Sequence, residues 1–255
     1  MLVYPIRAKK INPGDSLVGN LVQALNSNHF ELQDYDIVVI SSKVISISEG
    51  RLRKLSSASP SSKARALAKK FLIEPEFVQI LLDEADRVIG GVKGALLTVA
   101  QGDAIANAGI DRKNAPAGTV VLWPSKPDLS AETLRRQLGR IFKIKLGIII
   151  VDSRVTPLRL GTIGMAIGCA GISPIRDYRH KPDINRRRIT MTLQAVADGV
   201  AAAAQLVMGE AAEKIPFVII RDAPVSYLVK SGMVNTKLKP QDCLYMSQLA
   251  ATKKI

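Results

Sequence analysis

Two aspartates in this chain stand where an apolar run turns polar, and carboxylates placed there can hold a hard cation. Asp111 belongs to Asn107-Ala-Gly-Ile-Asp-Arg-Lys-Asn114, which follows the apolar run Ala95 to Ala100 and a turn at Gln101-Gly102-Asp103. Asp152 follows Gly147-Ile-Ile-Ile-Val151 and precedes Ser153, so a second carboxylate is expected at the end of a buried strand. Two carboxylates with the oxygens of Asn114 and Ser153 suit Mg2+ or Mn2+, ions that usually bridge phosphates rather than sit in an all-protein cage. Asn114 can equally read the polar edge of a ligand. The plainer alternative for residues 107–114 is a hairpin whose Asn and Asp side chains bond their own backbone.

A phosphate-bearing ligand needs donors and cations. Ser41-Ser42-Lys43 supplies both, just past the apolar run Asp36-Ile-Val-Val-Ile40. The alternative there is a strand that becomes polar on reaching solvent. Lys and Arg number 36 against 22 Asp and Glu, a formal charge of +14. Such an excess points to an anionic partner: nucleic acid, a membrane surface or a highly phosphorylated small molecule. Composition does not separate these partners, but the densest cluster, Arg176 through Arg188, has no nucleic-acid-binding motif or aromatic platform beside it, so nucleic-acid binding is the least favoured function, and no membrane partner is expected.

Several chemistries are excluded. His29 and His180 have no marked Ser or Cys partner, which argues against a hydrolase triad. Two cysteines and two histidines, all scattered, do not make a zinc site. Gly161 through Gly171 places glycine at intervals of three and four, without the lysine of a Walker loop or the spacing of G-x-G-x-x-G. It reads either as a loop approaching a ligand or as a tightly packed small-residue segment.

The elements that must position these residues are legible as periodic runs. Strands are expected at Leu2 to Ile6, Asp36 to Ile40, Ala95 to Ala100, Thr119 to Trp123, Gly147 to Val151 and Pro216 to Arg221. Helices are expected after Asp15, with an apolar stripe at Leu17, Leu21 and Leu25, after Ser59-Pro60, from Pro75, over Ala131 to Ile141 with Ser130 as cap, and over Gln194 to Met208. The last 30 or so residues carry a weaker pattern, and Lys253-Lys254 is expected to fray. With one Trp and few aromatics, the core must be mostly Ile, Leu, Val and Ala. Cys169 and Cys243 are too far apart to suggest a disulfide framework, and the N-terminus lacks a signal-peptide pattern. Ala195 to Met208 is too short to span a membrane and contains Asp198. A cytoplasmic protein of mixed α/β class is expected, with mixed sheets flanked by helices and neither a P-loop nor a Rossmann fold.

In order and spacing, these motifs resemble the coenzyme F-420 L-glutamate ligases, over roughly residues 14–222. The residues that carry the resemblance are Ser42-Lys43-Val44-Ile45-Ser46 with Glu49-Gly50-Arg51, Asn107-Ala-Gly-Ile-Asp111 with Asn114, and Pro127-Asp128 with Ser130-Ala131. Further along come Asp152-Ser153, Gly164 with Ala166-Ile167-Gly168 and Gly171, Ala197-Asp198, and Met208-Gly209-Glu210. The resemblance implies a ligase-like domain over residues 1–222, built as two intertwined lobes, with residues 223–255 as a C-terminal extension packed on it. It implies a homodimer that uses GTP, Mg2+ or Mn2+, with K+ as a further cation, to join L-glutamate to the lactyl carboxylate of an anionic deazaflavin precursor through an acyl phosphate. By position, Asp111, Asp152 and Ser153 match metal-site residues and Asn114 a nucleotide contact. Ser41, Ser42 and Lys43, and the lead-in Ala8 to Ile11 with Lys9 and Lys10, lie where the family touches GTP. Gly209 and Glu210 open a segment resembling a nucleotide-binding loop.

The chain departs from the family pattern at identifiable places. Ile47 stands where lysine is common, and Gly199 where glutamate is. His180 and Arg186 replace glycines around Asp183, Asp222 replaces a glycine after Val218-Ile-Ile220, and Val155-Thr156 replaces Gly-Arg. These departures leave two other readings open: a related amide ligase for a different acid and amine, and a non-catalytic homologue that binds nucleotide or deazaflavin.

Overall fold

Three uninterrupted apolar runs, Ile37 to Ile40, Ile148 to Val151 and Phe217 to Ile220, become neighbours in one sheet, because a continuous apolar strand is satisfied only when both of its faces are covered. This is seen in a computed structural model that describes residues 1–228 and 232–251. Lys253 and Lys254 lie outside the described residues. In chain order the strands are β1 (Leu2–Ile6), β2 (Ile37–Ser41), β3 (Leu52–Lys54), β4 (Arg87–Val92), β5 (Ala95–Ala100), β6 (Asp103–Ala106) and β7 (Thr119–Val121), followed by β8 (Gly147–Val155), β9 (Thr162–Ala170), β10 (Ile175–Asp177), β11 (Leu193–Ala195) and β12 (Phe217–Arg221). The helices are α1 (Leu17–Ser27), α2 (Ser42–Ser48), α3 (Ser62–Phe71), α4 (Pro75–Glu84), α5 (Pro127–Phe142), α6 (Val196–Met208) and α7 (Leu244–Ala251). The fold is mixed α/β, and no described helix is long and apolar enough to cross a membrane.

The chain divides into two compact units, one made of Met1–Glu49 and Pro124–Thr236, the other of Gly50–Trp123 and Lys237–Ile255. In the first unit a five-stranded sheet runs in the order β1-β12-β2-β8-β9. β2 and β8 are parallel, and β12 is antiparallel to both β1 and β2, so β1, β2 and β8 all point the same way. Ile149, Val151, Ala166 and Cys169 form one face of the sheet with Ala197, Ala201 and Ala204 of α6.

The glycine-rich segment is strand β9, which decides between its two readings in favour of close packing. A Cβ on Gly164 would lie 2.4 Å from the Ala201 carbonyl oxygen of α6, and one on Gly168 would lie 2.6 Å from the Pro127 carbonyl oxygen of α5. A bulge at Ile150/Val151, opposite Ile167, puts these two glycines on opposite faces although they are four residues apart. Each lets one helix approach the sheet closely.

Four local expectations need correction. α1 is capped by Ser16, whose Oγ accepts from Gly19 N, while Asp15 accepts from Asn12 N instead. α3 begins at Ser62 under a Ser61 cap, whose Oγ accepts from Ala64 N, rather than at Ser59-Pro60. α5 starts a turn early because Pro127 occupies its first position; Ser130 is inside the helix and donates to Glu49 Oε1 at 2.5 Å. β8 runs on to Val155, so what ends at Val151 is burial and not the strand: Asp152 and Ser153 are still in register with Met165 and Gly164.

A buried ion pair ties three strands of the sheet together. Arg221 at the end of β12 donates from Nε to Asp36 Oδ1 at 2.8 Å and from Nη2 to Oδ2 at 2.7 Å, and Asp36 is fully buried just before β2. The guanidinium lies 5.5 and 5.2 Å from the ring centroids of Tyr4 on β1 and Phe30. Burial, helped by the nearby Asp36 charge, pushes the Tyr227 hydroxyl up to about 12, so it stays a donor to the Tyr35 carbonyl. Asp128 accepts from the amides of Cys169, Met233 and Val234, which fixes residues 233–234 to the sheet.

The basic stretch is the connection between the antiparallel strands β10 and β11. His180, Arg186 and Asp222, the positions at which the resemblance leads one to expect glycine, have φ of 71°, 63° and 54°. Each of the three sits in a left-handed conformation that disfavours a Cβ by roughly 1–2 kcal/mol. His180→Gly and Arg186→Gly are therefore each expected to raise the unfolding free energy by about 1 kcal/mol in urea titrations. Unchanged or lowered midpoints in both variants would contradict that strain.

In the second unit, β4, β5 and β6 form an antiparallel meander, β3 pairs with β7, and α3 packs on α4. Its core includes Phe77, Ile80, Leu81, Leu96 and Ile105. Arg53 pairs with Asp83 at 2.7 Å, and Arg51 with Glu84.

Candidate functional site

Because β1, β2 and β8 are parallel, their carboxyl ends lie along one edge of the sheet in the first unit. Ligands of open α/β sheets favour that edge. Two separated segments run together there: Ala8 N donates to the Lys214 carbonyl at 3.0 Å, and Arg7 Nη1 to that of Glu213 at 3.5 Å. Ser41 N, at the end of β2, donates to the Pro216 carbonyl at 3.0 Å. The basic lead-in and the segment after Gly209 are thus adjacent strips of backbone. Lys9 and Lys10 are exposed on the first strip. Ser41 precedes the first turn of α2, Lys43 is half-buried in that turn, and Ser42 is buried.

Glu210 is the acceptor around which the edge is arranged. Its Oε1 receives Ser153 Oγ at 2.5 Å, Gln205 Nε2 at 2.6 Å and Thr162 Oγ1 at 3.1 Å. Ser153 and Glu210, 57 residues apart and singled out separately from the sequence, are brought into direct contact. Thr162 and Gln205 were not singled out. Both reach Glu210 only because β9 pairs with β8 and α6 packs across the two, and nothing in their own sequence neighbourhood signals that.

Asp152 and Ser153 are consecutive strand residues, so their side chains leave β8 on opposite faces. Ser153 shares the face of Gly164, against α6, while Asp152 is paired with Met165 on the other face. Asp152 Oδ1 accepts from Ser153 N at 2.8 Å. The pair therefore offers oxygen to both sides of the sheet at its carboxyl edge.

Asp111 and Asn114 belong to the second unit. Asn107, Ala108 and Gly109 have φ of 52°, 54° and 72°, a run of left-handed backbone held by bonds to β5. Asn107 Oδ1 accepts from Leu96 N, and Ala108 N donates to Thr98 Oγ1, both at 2.8 Å. Gly109 is required, since a Cβ there would lie 2.2 Å from Trp123 Nε1. Asp111 bridges to Val121 through the backbone, and its Oδ1 accepts from Lys113 N at 2.8 Å. The self-bonded turn is thus present at Asp111, while Asn107 bonds across to β5. Asn114 is exposed with φ 62°. A cavity of about 580 Å³ in this unit is lined by Lys54, Ser56, Glu74, Glu76 and Thr119 and contains none of these residues.

The model of the F420-0:gamma-glutamyl ligase family matches residues 5–222. The chain belongs to that family. It is 37% identical over 233 residues to a coenzyme F420:L-glutamate ligase of Methanothermobacter thermautotrophicus, covering 91% of this chain and 92% of the relative. The ligase of the same name from Methanocaldococcus jannaschii is 39% identical over 214 residues, 84% and 86% of the two chains. That of Archaeoglobus fulgidus is 36% identical over 225 residues, 88% of each. In this F420-0:gamma-glutamyl ligase family member, the matched span includes all of β1 through β12 except the first three residues of β1, and hence every candidate site residue above.

Proposed function

We propose that this protein joins L-glutamate to the lactyl carboxylate of the F420 precursor, using GTP and a divalent cation, as a cytoplasmic homodimer. The observation that carries the reading is the contact of Ser153 with Glu210 at the carboxyl edge of the sheet, beside the strips 7–10 and 209–216. It agrees with what the relatives' names say they do.

In this reading the lactyl carboxylate oxygen attacks the γ-phosphorus of GTP and GDP leaves, giving an acyl phosphate. The glutamate amine then attacks the acyl carbon, loses a proton and expels phosphate, leaving an amide. Lys9, Lys10 and Lys43, with the donors at Ser41 and Ser42, neutralise and orient the phosphates, and Asn114 reads the nucleotide. Asp152 and Ser153, at the carboxyl edge of the sheet, and separately Asp111 of the second unit carry hard oxygens of the kind Mg2+ or Mn2+ prefers. Among the described residues no group of three or more His, Cys, Asp and Glu forms a ready-made cage, so such an ion would complete its shell from substrate and water. When bound, the ion neutralises phosphoryl oxygens. K+ is a further candidate cation.

Two departures bear on this. Gly199 is exposed on α6 with open space where a Cβ would be, so its change leaves the fold untouched. Ile47 is half-buried on α2 and adds no charge. Purified protein with GTP, Mn2+, L-glutamate and precursor is expected to release phosphate and yield the glutamylated product, and chelation is expected to stop it. Thermal stabilisation by GTP without phosphate release from folded protein would overturn the reading in favour of a non-catalytic binder.

A further inference from the structure

One cation near this edge has no partner that explains it. Arg154 sits on β8 two residues past Asp152, so the two side chains leave the strand on the same face. Its Nε is buried without a hydrogen-bond partner. Its Nη1 meets the Met165 sulfur at 3.5 Å, a weak acceptor. Among the described residues its side chain forms no ion pair.

The direction of the side chain matters. Met165 is the cross-strand partner of Asp152, not of Arg154, which pairs with Ile163. Arg154 therefore reaches diagonally along the sheet, back toward Asp152, and stops against the residue opposite it. A guanidinium with a buried, unmade N–H carries an uncompensated desolvation cost, the larger because it is charged. A side chain that serves only to cover Met165 would do so without a charge. An oxyanion placed against the guanidinium would satisfy Nε and one Nη together, in the fork geometry that arginine offers to carboxylates and phosphates.

We propose that Arg154 is an oxyanion-binding residue of this site, receiving a carboxylate or phosphoryl group of a substrate held beside Asp152. The identity of that substrate rests on the ligase reading above; the geometry of Arg154 does not. Three anions are candidates: the γ-phosphoryl group of GTP, a carboxylate of L-glutamate and the lactyl carboxylate of the precursor.

The test compares wild type with Arg154→Ala and Arg154→Lys. Calorimetry gives the Kd of GTP with Mn2+, of L-glutamate and of precursor, kinetics give the three KM values and kcat, and thermal unfolding reports the fold. Arg154→Ala is expected to raise Kd and KM for one of the three by about tenfold or more while kcat changes less, the loss of one charge-assisted contact. Arg154→Lys is expected to recover only part of it, because an ammonium lacks the fork. The substrate whose constants move identifies the anion. If all constants stay within about twofold of wild type, or if wild type binds none of the three anions, the proposal is overturned. If wild type binds but forms no amide, the ligase reading fails while the binding constants still decide Arg154. Should Arg154→Ala not fold, Arg154→Gln keeps the stem and one donor and takes its place.

Discussion

Asp152→Asn is expected to lower kcat/KM for amide formation by about a thousandfold or more, roughly 4 kcal/mol of transition-state stabilisation. The substitution is nearly isosteric, and an amide oxygen can still accept from Ser153 N, where Oδ1 does so now at 2.8 Å. The β8 ladder on either side of it is made by backbone and is unaffected. What is lost is the negative charge, and with it the pull on a divalent cation. Asp111→Asn is expected to have the same effect, since its backbone bridge to Val121 and its turn to Lys113 survive the change. Steady-state phosphate release with Mn2+ checks both, alongside circular dichroism for the fold. Near-normal activity in both variants would overturn the proposal that these residues hold a cation.

The second large effect concerns stability. Arg221→Met is expected to destabilise the first unit by about 3–5 kcal/mol, because it strands the Asp36 carboxylate in a fully buried position. The cost comes from the uncompensated charge and not from lost volume, since methionine fills much of the space between Tyr4 and Phe30. Removing both partners, as Asp36→Leu with Arg221→Met, should therefore recover a good part of the loss. The Gln33 amide that now donates to Asp36 at 2.8 Å limits that recovery. Urea denaturation followed by far-ultraviolet circular dichroism separates these cases. Trp123 fluorescence is the wrong probe, because that residue belongs to the second unit. A double variant no more stable than the single one would refute the charge argument.

Much of the scaffold was legible because burial leaves a direct mark on sequence. Ile37–Ile40, Ile148–Val151 and Phe217–Ile220 have no polar interruption, and all three are strands of one sheet. Helix starts were less legible where neighbouring residues could each act as the cap. Asp15 and Ser16 are chemically equivalent candidates, and backbone geometry decides between them. The glycines of β9 were ambiguous because a missing side chain admits a ligand and a packed helix equally well, and only the positions of Ala201 and Pro127 discriminate.

At the candidate site, residue types were legible and directions were not. Nothing in Asp152-Ser153 shows that the strand continues to Val155, so the opposed faces of the two side chains could not be read. The contact of Ser153 with Glu210 is a product of strand order, which residue periodicity does not encode. His180, Arg186 and Asp222 looked like lost backbone freedom and proved to be glycine-like conformations imposed on larger residues.

The bonds from Ala8 to Lys214 and from Ser41 to Pro216 have a thermodynamic consequence for whatever binds at that edge. They anchor residues 214–216 to the ends of two sheet strands through the protein's own backbone. A receptor ordered in advance gives up little conformational entropy on association, so more of the contact energy appears as affinity. In the ligase reading proposed above, recognition at this edge would be a docking of ligand onto a preformed surface, with selectivity set by the fixed spacing of its donors.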